Sequence, residues 1–202
     1  MTDAILVDFD GVLRFWPESD EAIEAAHGLP RGCIRAVAFA RERLDPALTG
    51  QVTDQAWRTG VASALVQQFG PGGGQAVADW SKGVGAIDWP TLSLLRKATE
   101  RLVLVTNATS RLRSDLAVLG LSDVFSAVVN SSEIGVRKPD PRCFAHALEA
   151  AGVTAGEALY IDDTQANVVV AAGMGIRSHH FTRRETMVAF LRRHGVRQEA
   201  AS

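Results

Sequence analysis

A short apolar segment that ends in two acidic residues opens the chain. Residues 4–7 are Ala-Ile-Leu-Val, and Asp8, Phe9, Asp10 and Gly11 follow them. Four apolar residues before a glycine that permits a sharp turn are typical of a buried strand. Side chains alternate along a strand, so Asp8 and Asp10 would point to the same side if the strand ran straight through both. Two like charges at such a position need a cation, a proton or hydrogen-bond donors, and the segment therefore indicates either a polar turn or the edge of a chemical site.

The second half of the chain alternates between helical and strand patterns. Apolar periodicity and glycine or proline boundaries predict helices over residues 90–101, 111–119, 141–151, 165–172 and 184–194, and strands over 102–106, 124–129, 158–161 and 176–181. This alternation is typical of a parallel sheet covered by helices. With the first strand added, the sequence predicts an α/β fold with a five-stranded, three-layer, Rossmann-like core.

The region between the first strand and residue 88 shows only helical patterns. Helices are expected over residues 21–27 and 32–43, from Thr53 to the glycine-rich run 70–74, and through residues 76–80. We therefore predict that residues 15–85 form a helical cap inserted into a core made of residues 1–14 and 86–202. Trp57 and Trp80 are interpreted as part of the apolar core of the cap. Arg14, Phe15 and Trp16, where the chain passes from the core into the cap, are candidates for lining a pocket.

Composition and charge exclude several classes of function. The 202 residues are 47% hydrophobic and 22% charged, with a formal net charge of −2, so a general basic field for nucleic acid is absent. Cys33 and Cys143 have neither disulfide-framework nor metal-site spacing. No apolar stretch is long enough for a membrane span, and the N-terminal residues do not resemble a signal peptide. These features favour a cytoplasmic monomer or homodimer that acts without nucleic acid or membrane.

Polar residues follow the predicted strands where ligands bind to parallel sheets, at the carboxyl ends. They are Asp8 and Asp10, Thr106 and Asn107, Lys138 within the loop 135–140, and Asp162 and Asp163. Each group alone could be a helix cap or a turn. Their occurrence at successive strand ends favours a common site instead.

The composition of this site favours phosphoryl chemistry. Crowded carboxylates can remain ionised around a hard divalent cation, and oxygen ligands suit Mg²⁺. Lysine is rare here, with three lysines among 21 basic residues, so Lys138 is a candidate for a place that needs a compact ammonium. A carboxylate beside a cation, an ammonium and a hydroxyl donor could attack phosphorus and form an aspartyl-phosphate.

Four segments together resemble the signature motifs of the haloacid dehalogenase-like hydrolase superfamily, in its branch with a helical cap after the first strand. They are residues 8–11, 106–107, 137–140 and 160–167. The resemblance implies a magnesium-dependent phosphatase that acts on a small phosphorylated metabolite such as a sugar phosphate. The fold it implies is the capped α/β core expected above.

The resemblance also implies residue roles. Asp8 would be the nucleophile and a Mg²⁺ ligand, and Asp10 the general acid/base with its backbone carbonyl on the metal. Thr106, Asn107 and Lys138 would bind the phosphoryl group. Asp163 would ligate the metal directly, Asp162 more weakly or through water, and Asn167 would support them.

Several alternatives remain at this stage. Dehalogenases of the superfamily typically lack an acid at the position of Asp10, which favours phosphoester hydrolysis here. A phosphonate-cleaving role for Lys82 has little support. A phosphosugar mutase would keep the same core, and a non-catalytic phosphoryl sensor could gather similar residues. We expect the paired histidines, His179 and His180, to serve in ordinary packing rather than in a metal site.

Overall fold

The computed structural model of the chain describes residues 2–17 and 19–196. Its strands are β1 (Ala4–Val7), β2 (Arg14–Phe15), β3 (Ala86–Ile87), β4 (Leu102–Thr106), β5 (Ala127–Asn130), β6 (Ala158–Asp162) and β7 (Arg177–His180). Its helices are α1 (Asp20–Ala26), α2 (Cys33–Ala38), α3 (Arg41–Leu48), α4 (Asp54–Phe69), α5 (Gly72–Trp80), α6 (Trp89–Ala98), α7 (Leu112–Val118), α8 (Ser131–Ile134), α9 (Pro141–Ala151), α10 (Gln165–Gly173) and α11 (Arg184–Arg193).

A five-stranded parallel sheet forms the core, with the strand order β5-β4-β1-β6-β7. Strand β1 lies at the centre, where Ile5 pairs with Leu102 on one side and Leu159 on the other. All four residues of β1 are buried, because helices cover both faces of the sheet. The predicted α/β fold with a five-stranded parallel core is therefore confirmed.

Alternation along β1 divides the core into two apolar layers. Ile5 and Val7 pack into a cluster that includes residues of α6, α7 and α11. Ala4 and Leu6 face the opposite way, into a cluster that includes residues of α9 and α10. This period of two gives the three-layer arrangement, in which each fully buried leucine or isoleucine contributes about 1.5–3 kcal/mol.

The register of the sheet brings the polar strand ends to one edge. Val7 pairs with Leu104 of β4 and with Ile161 of β6. Asp8 therefore follows level with Val105 and Asp162, and its backbone N–H donates to the carbonyl of Ile161 at 3.0 Å. This edge is the carboxyl end of the sheet, as predicted.

Helices α1 to α5 contain a second, separate apolar cluster. Ile34, Trp57, Val61 and Leu65 are buried in it, and Trp80 packs against it with its ring centroid 5.6 Å from that of Trp57. The indole N–H of Trp57 donates to the Ala38 carbonyl at 3.1 Å. Both tryptophans thus belong to the core of this helical segment, which agrees with their interpretation from the sequence.

Two predictions about the helical segment were wrong in detail. The helix expected over residues 32–43 is broken, because Phe39 ends α2 and Ala40, with an extended ψ of 129°, begins α3. The glycine run was expected to separate two helices, but Gly72–Gly74 form the first turn of α5. A Cβ on Gly73 would lie 2.6 Å from the Leu65 carbonyl carbon, so glycine allows α5 to approach α4 closely.

Three further differences concern short elements. Strand β5 begins at Ala127 rather than at residue 124. Strands β2 and β3, which were not predicted, pair antiparallel where the chain leaves and re-enters the core, with Arg14 opposite Ile87. Helix α8 is a single turn after β5. Two strands of two residues and a helix of one turn are too short to show a periodicity, so the sequence pattern could not indicate β2, β3 and α8.

None of the helices in the described part of the chain combines the length and apolar character that a bilayer span requires.

Candidate active site

Lys138 lies at the centre of a buried cluster at the carboxyl edge of the sheet. Its Nζ is 2.9 Å from Asp8 Oδ1 and 2.7 Å from Asp162 Oδ2, and it donates to the Val105 carbonyl at 2.8 Å. Only 2% of the residue is exposed. An ammonium has three N–H donors, so these three contacts use its full capacity and fix its position. The ammonium thus joins strands β4 and β6 to the residue after β1.

The charges within this cluster are mutually dependent. Burial raises the pKa of Asp8 to about 7 against the attraction of Lys138. Burial would lower the pKa of Lys138, but Asp8 and Asp162 outweigh burial and raise it. Burial likewise opposes ionisation of Asp162, yet Lys138, Tyr160 and the backbone N–H of Thr164 hold the pKa of Asp162 below its usual value. Asp8 is therefore the carboxylate whose charge depends most on what else enters the site.

Asp162 is fully buried, and its two oxygens are surrounded by donors. Oδ2 accepts from the Tyr160 hydroxyl and from Lys138, and Oδ1 accepts from the Thr164 backbone N–H at 2.7 Å. The Asn167 side-chain amide lies 3.1 and 3.0 Å from the two oxygens. Such saturation suits a residue that positions Lys138. The expectation that Asp162 is a weaker metal ligand than Asp163 stays a prediction, and Asn167 contacts Asp162 within the cluster.

Asp163 is exposed and lies against the turn that follows β1. A Cβ on Gly11 would lie 2.1 Å from Asp163 Oδ2, and Gly11 has a φ of +83°, so both space and conformation require glycine. Burial and the charge of Asp162 raise the pKa of Asp163. The ends of β1 and β6 are thus in close contact at this point.

Three carboxylates form a group that fits a hard divalent cation. One oxygen from each of Asp8, Asp162 and Asp163 lies within 4.8 Å of the other two. The donor set consists of oxygen atoms alone, as Mg²⁺ prefers. A cation there would also stabilise Asp8 and Asp163 in their ionised forms, which burial disfavours.

Asp10 lies apart from this group of carboxylates. Its Oδ1 accepts from Arg14 Nε at 2.8 Å and from the Trp16 indole N–H at 3.0 Å, and its Oδ2 accepts from Arg14 Nη2 at 2.7 Å. The expectation that Asp8 and Asp10 point to the same side required a strand that runs through both, and β1 ends at Val7, before either of them. The expected contact of its backbone carbonyl with a metal stays a prediction.

Arg14 connects Asp10 to the rest of the molecule. Its Nη1 donates to Asp115 at 3.0 Å, and Arg111 donates both to Asp115 at 2.8 Å and to the Ser81 carbonyl at 2.6 Å. Burial would lower the pKa of Arg14, but hydrogen bonds and charge from Asp10 and Asp115 raise it. Sequence reasoning missed this network. The four-residue spacing of Asp10 and Arg14 was its only local signal, since Asp115 is 101 residues away from Arg14.

Thr106 and Asn107 lie at the end of β4, as predicted. Thr106 is buried and is the last residue of the strand. The Asn107 side chain accepts from the Lys138 backbone N–H at 2.8 Å and donates to the Lys138 carbonyl at 2.9 Å. This pair of hydrogen bonds fixes the loop that carries Lys138. Asn107 therefore has a structural role that its predicted contact with phosphate did not include.

A cavity of about 890 Å³ lies between the helical segment and this edge of the sheet. Asp10, Arg14, Trp16 and Asn107 line its base, so two of the three residues suggested for the pocket do so. The paired histidines were expected to serve in ordinary packing: the His179 ring stacks on Phe190, and His180 Nε2 lies 2.8 Å from the Asp163 carbonyl.

Comparison with known proteins places the chain in a family. The family model of haloacid dehalogenase-like hydrolases matches residues 2–175, and the chain belongs to this family. The resemblance of the four motifs is thereby confirmed. Haloacid dehalogenase-like hydrolase domain-containing protein 3 of Mus musculus is 39% identical over 138 residues, which are 68% of this chain and 52% of that protein.

A second relative is a phosphoglycolate phosphatase of Neisseria gonorrhoeae. It is 32% identical over 88 residues, which are 43% of this chain and 37% of that protein. The chain therefore spans between about a third and about a half of the length of these two relatives.

Two solved structures share the fold. A HAD-like family hydrolase of Porphyromonas gingivalis superposes with a TM-score of 0.72 and 22% identity, covering 98% of this chain and all of that one. A HAD family enzyme of Bacteroides thetaiotaomicron, solved with magnesium and inorganic phosphate, gives a TM-score of 0.70 and 20% identity, covering 89% and 93%.

Proposed function

We propose that this chain is a magnesium-dependent phosphatase that hydrolyses a phosphomonoester through an aspartyl-phosphate. The observation that carries the proposal is the buried contact of Asp8 with Lys138, beside the carboxylates of Asp162 and Asp163. The named phosphatase among the relatives, and the related fold solved with magnesium and phosphate, support the same class of reaction.

Asp8, Asp163 and, more weakly, Asp162 would hold the cation, with the backbone carbonyl of Asp10 as a further ligand. When bound, Mg²⁺ supplies positive charge that offsets repulsion between Asp8 and the phosphate. Thr106 and Asn107 would bind the phosphoryl oxygens directly. The three N–H donors of Lys138 are held by Asp8, Asp162 and the Val105 carbonyl, so its part in phosphate binding would be the attraction of its charge for the nucleophile and the phosphoryl group together.

Two displacements complete the reaction. An Asp8 oxygen attacks phosphorus, the bond from phosphorus to the substrate oxygen breaks, and Asp10 gives the departing alkoxide a proton. Asp10 then takes a proton from a water molecule that attacks phosphorus. The bond to Asp8 breaks, which releases inorganic phosphate and restores the carboxylate.

The contacts of Asp10 fix the orientation of its carboxyl group. Both of its oxygens accept hydrogen bonds from Arg14. Oδ1 also accepts from Trp16, whereas Oδ2 accepts from Arg14 alone among the described contacts. Oδ2 is therefore the oxygen that we assign to proton transfer.

The division of the chain is part of the same proposal. Residues 15–85 would form the cap and residues 1–14 and 86–202 the core. The separate apolar cluster of α1 to α5 supports this division, as does the position of β2 and β3 at its two ends.

The proposal is tested by phosphate release from p-nitrophenyl phosphate with Mg²⁺ and with EDTA. We expect turnover with Mg²⁺ only, and at least about a 10⁴-fold loss in Asp8→Asn with an unchanged circular dichroism spectrum. A phosphosugar mutase would retain the phosphoryl group on its product. A non-catalytic sensor would release no phosphate under either condition. Appreciable activity in folded Asp8→Asn would overturn the assignment of the nucleophile.

A further inference from the structure

The cavity beside Asp10 is large and has one apolar side. Its volume of about 890 Å³ is near the upper end of the range, about 300–1,000 Å³, of sites that enclose drug-sized ligands. We call its apolar side the apolar wall, and the wall comprises Phe39, Leu44, Leu48, Trp57 and Trp80. Phe39 is 43% exposed although it is a large hydrophobic residue. Aromatic and aliphatic side chains that line a cavity are typical of a ligand-binding pocket.

The aromatic residues of the apolar wall are held in place by one another and by hydrogen bonds. Trp80 packs edge-on against both Phe39 and Trp57, with ring centroids 6.4 and 5.6 Å apart. The Trp80 indole N–H donates to Asp20 at 3.1 Å. The wall is thus a preformed surface, and apolar groups can bind to it with little cost of ordering side chains.

The cationic side chains of the cavity are already paired. Nearest the base, Arg14 contacts Asp10 at 2.7 Å and Arg111 contacts Asp115 at 2.8 Å. Arg58 contacts Asp54 at 2.7 Å and also packs over the Trp80 ring. The two cations nearer the opening, Arg35 and Lys82, lie 3.4 and 2.6 Å from aspartates. A second anionic group on a substrate would have to displace one of these carboxylates.

From these two observations we infer the substrate class of the proposed phosphatase: a monoester of an uncharged, mainly apolar alcohol larger than a triose. The inference rests on the proposed function. Asp10 and Asn107 line the cavity and closely follow Asp8 and Thr106 in the chain, which do not line it. The phosphoryl group would therefore lie at Asp8, and the alcohol would extend past Asp10 along the apolar wall. This differs from the sugar phosphate that the resemblance suggested as an example of a small phosphorylated metabolite.

Linear alkyl phosphates test the inference, because their leaving groups have nearly constant acidity. We would measure kcat/KM with Mg²⁺ for n-butyl and n-octyl phosphate, below micellar concentrations, and for glycerol 3-phosphate and 2-phosphoglycolate. We expect kcat/KM to rise about two- to fourfold per methylene, chiefly through KM, with both polar esters below butyl phosphate. Equal or faster hydrolysis of the polar esters would overturn this inference but leave the phosphatase proposal intact. If no phosphate were released from any of these esters, both the substrate class and the phosphatase proposal would be contradicted.

Two phenylalanines with similar exposure provide matched variants. Phe39 lies on the apolar wall, whereas Phe69, 41% exposed at the end of α4, is outside the cavity lining. Phe39→Ala should lower kcat/KM for octyl phosphate about five- to tenfold through KM, and Phe39→Leu should restore most of it. Phe69→Ala should match the unaltered protein. Equal effects of Phe39→Ala and Phe69→Ala, or a loss in kcat alone, would contradict binding of the alcohol at the wall.

Discussion

Asp8 and Asp10 are two residues apart, but they lie in different electrostatic environments. Asp8 is buried and contacts a lysine that is shared with Asp162. Asp10 is partly exposed and is bound by a guanidinium and an indole. The ammonium of Lys138 allows two carboxylates to converge on one point, whereas the planar guanidinium of Arg14 holds Asp10 through two N–H groups in a fixed orientation and binds Asp115 through a third. The proposed roles of attack and proton transfer would thus be separated by the choice of cation as much as by position.

The largest expected effect is that of removing the shared ammonium. Lys138→Met would leave Asp8 and Asp162 buried without a counter-charge, so we expect a loss of about 3–5 kcal/mol in the free energy of unfolding and no detectable turnover. Urea unfolding and phosphate release measure the two effects. Lys97→Met is the control, because Lys97 is exposed on α6 and lies outside the cavity lining, so its removal should change neither quantity appreciably. A small change in the unfolding free energy of Lys138→Met would contradict the view that Lys138 neutralises two buried, ionised carboxylates.

Next is the loss of proton transfer at Asp10. Asp10→Asn should lower kcat/KM about 10²–10⁴-fold for an alkyl phosphate, whose leaving group needs a proton. The loss should be much smaller for p-nitrophenyl phosphate, because nitrophenolate departs readily without one. Parallel assays of both esters measure the ratio. Equal losses for the two esters would contradict the acid role and remove the functional contrast with Asp8.

A moderate effect on stability is expected at Arg14. Arg14→Gln removes buried contacts to Asp10 and Asp115, and we expect it to cost about 1–3 kcal/mol in unfolding free energy, since Arg111 still contacts Asp115. Arg113 provides the matched comparison, because it binds Glu133 through two hydrogen bonds of 2.8 Å on the surface.

Arg113→Gln should leave the unfolding midpoint in urea nearly unchanged. Similar urea midpoints for the Arg14 and Arg113 variants would mean that the buried contacts of Arg14 stabilise the fold no more than the surface contacts of Arg113.

The smallest effect comes from an ion pair outside both sites and serves as a baseline. Burial opposes ionisation of Asp88, but hydrogen bonds from Arg184 and Thr91 hold the pKa of Asp88 below its usual value of 3.8. The folded state therefore binds fewer protons than the unfolded state near pH 4. Stability from Asp88 is present above that pH and is lost as the pH falls through the lower, folded pKa.

Asp88→Asn keeps a side-chain acceptor for α6 but has no charge to lose. The difference in unfolding free energy between Asp88→Asn and the unaltered protein should therefore shrink from pH 6 to pH 3. A constant difference would indicate that the pair contributes no charge-dependent stability.

The sequence predicted the parts of the molecule that depend on repeated local patterns. Helix α9 runs from Pro141 to Ala151 as expected, because Asp140 caps its start and Gly152, with a φ of 64°, ends it. The strand ends that carry Asp8, Thr106 and Asp162 were found by the same reasoning, since apolar runs locate strands and parallel pairing aligns their ends.

What the sequence could not predict depends on contacts between distant segments. The Arg14 network joins residues that only the folded chain brings together, and the close approach of Gly73 to Leu65 requires knowledge of helix packing. The different environments of Asp8 and Asp10 could not be predicted from the sequence either, because a strict strand alternation would have directed both side chains to one side. Strand β1 ends before these two residues, so that alternation does not apply to them.

The two hydrogen bonds between Asn107 and the Lys138 backbone have a mechanical consequence. They resemble the paired backbone hydrogen bonds of a sheet, but a side chain makes them, and they join the end of β4 to the loop that bears Lys138. Thr106 and Lys138, both assigned to the phosphoryl group in the proposed function, are therefore parts of one rigid frame. Their separation is set by the edge of the sheet and not by the helical segment, so a different shape of the cavity would not by itself disturb alignment for attack.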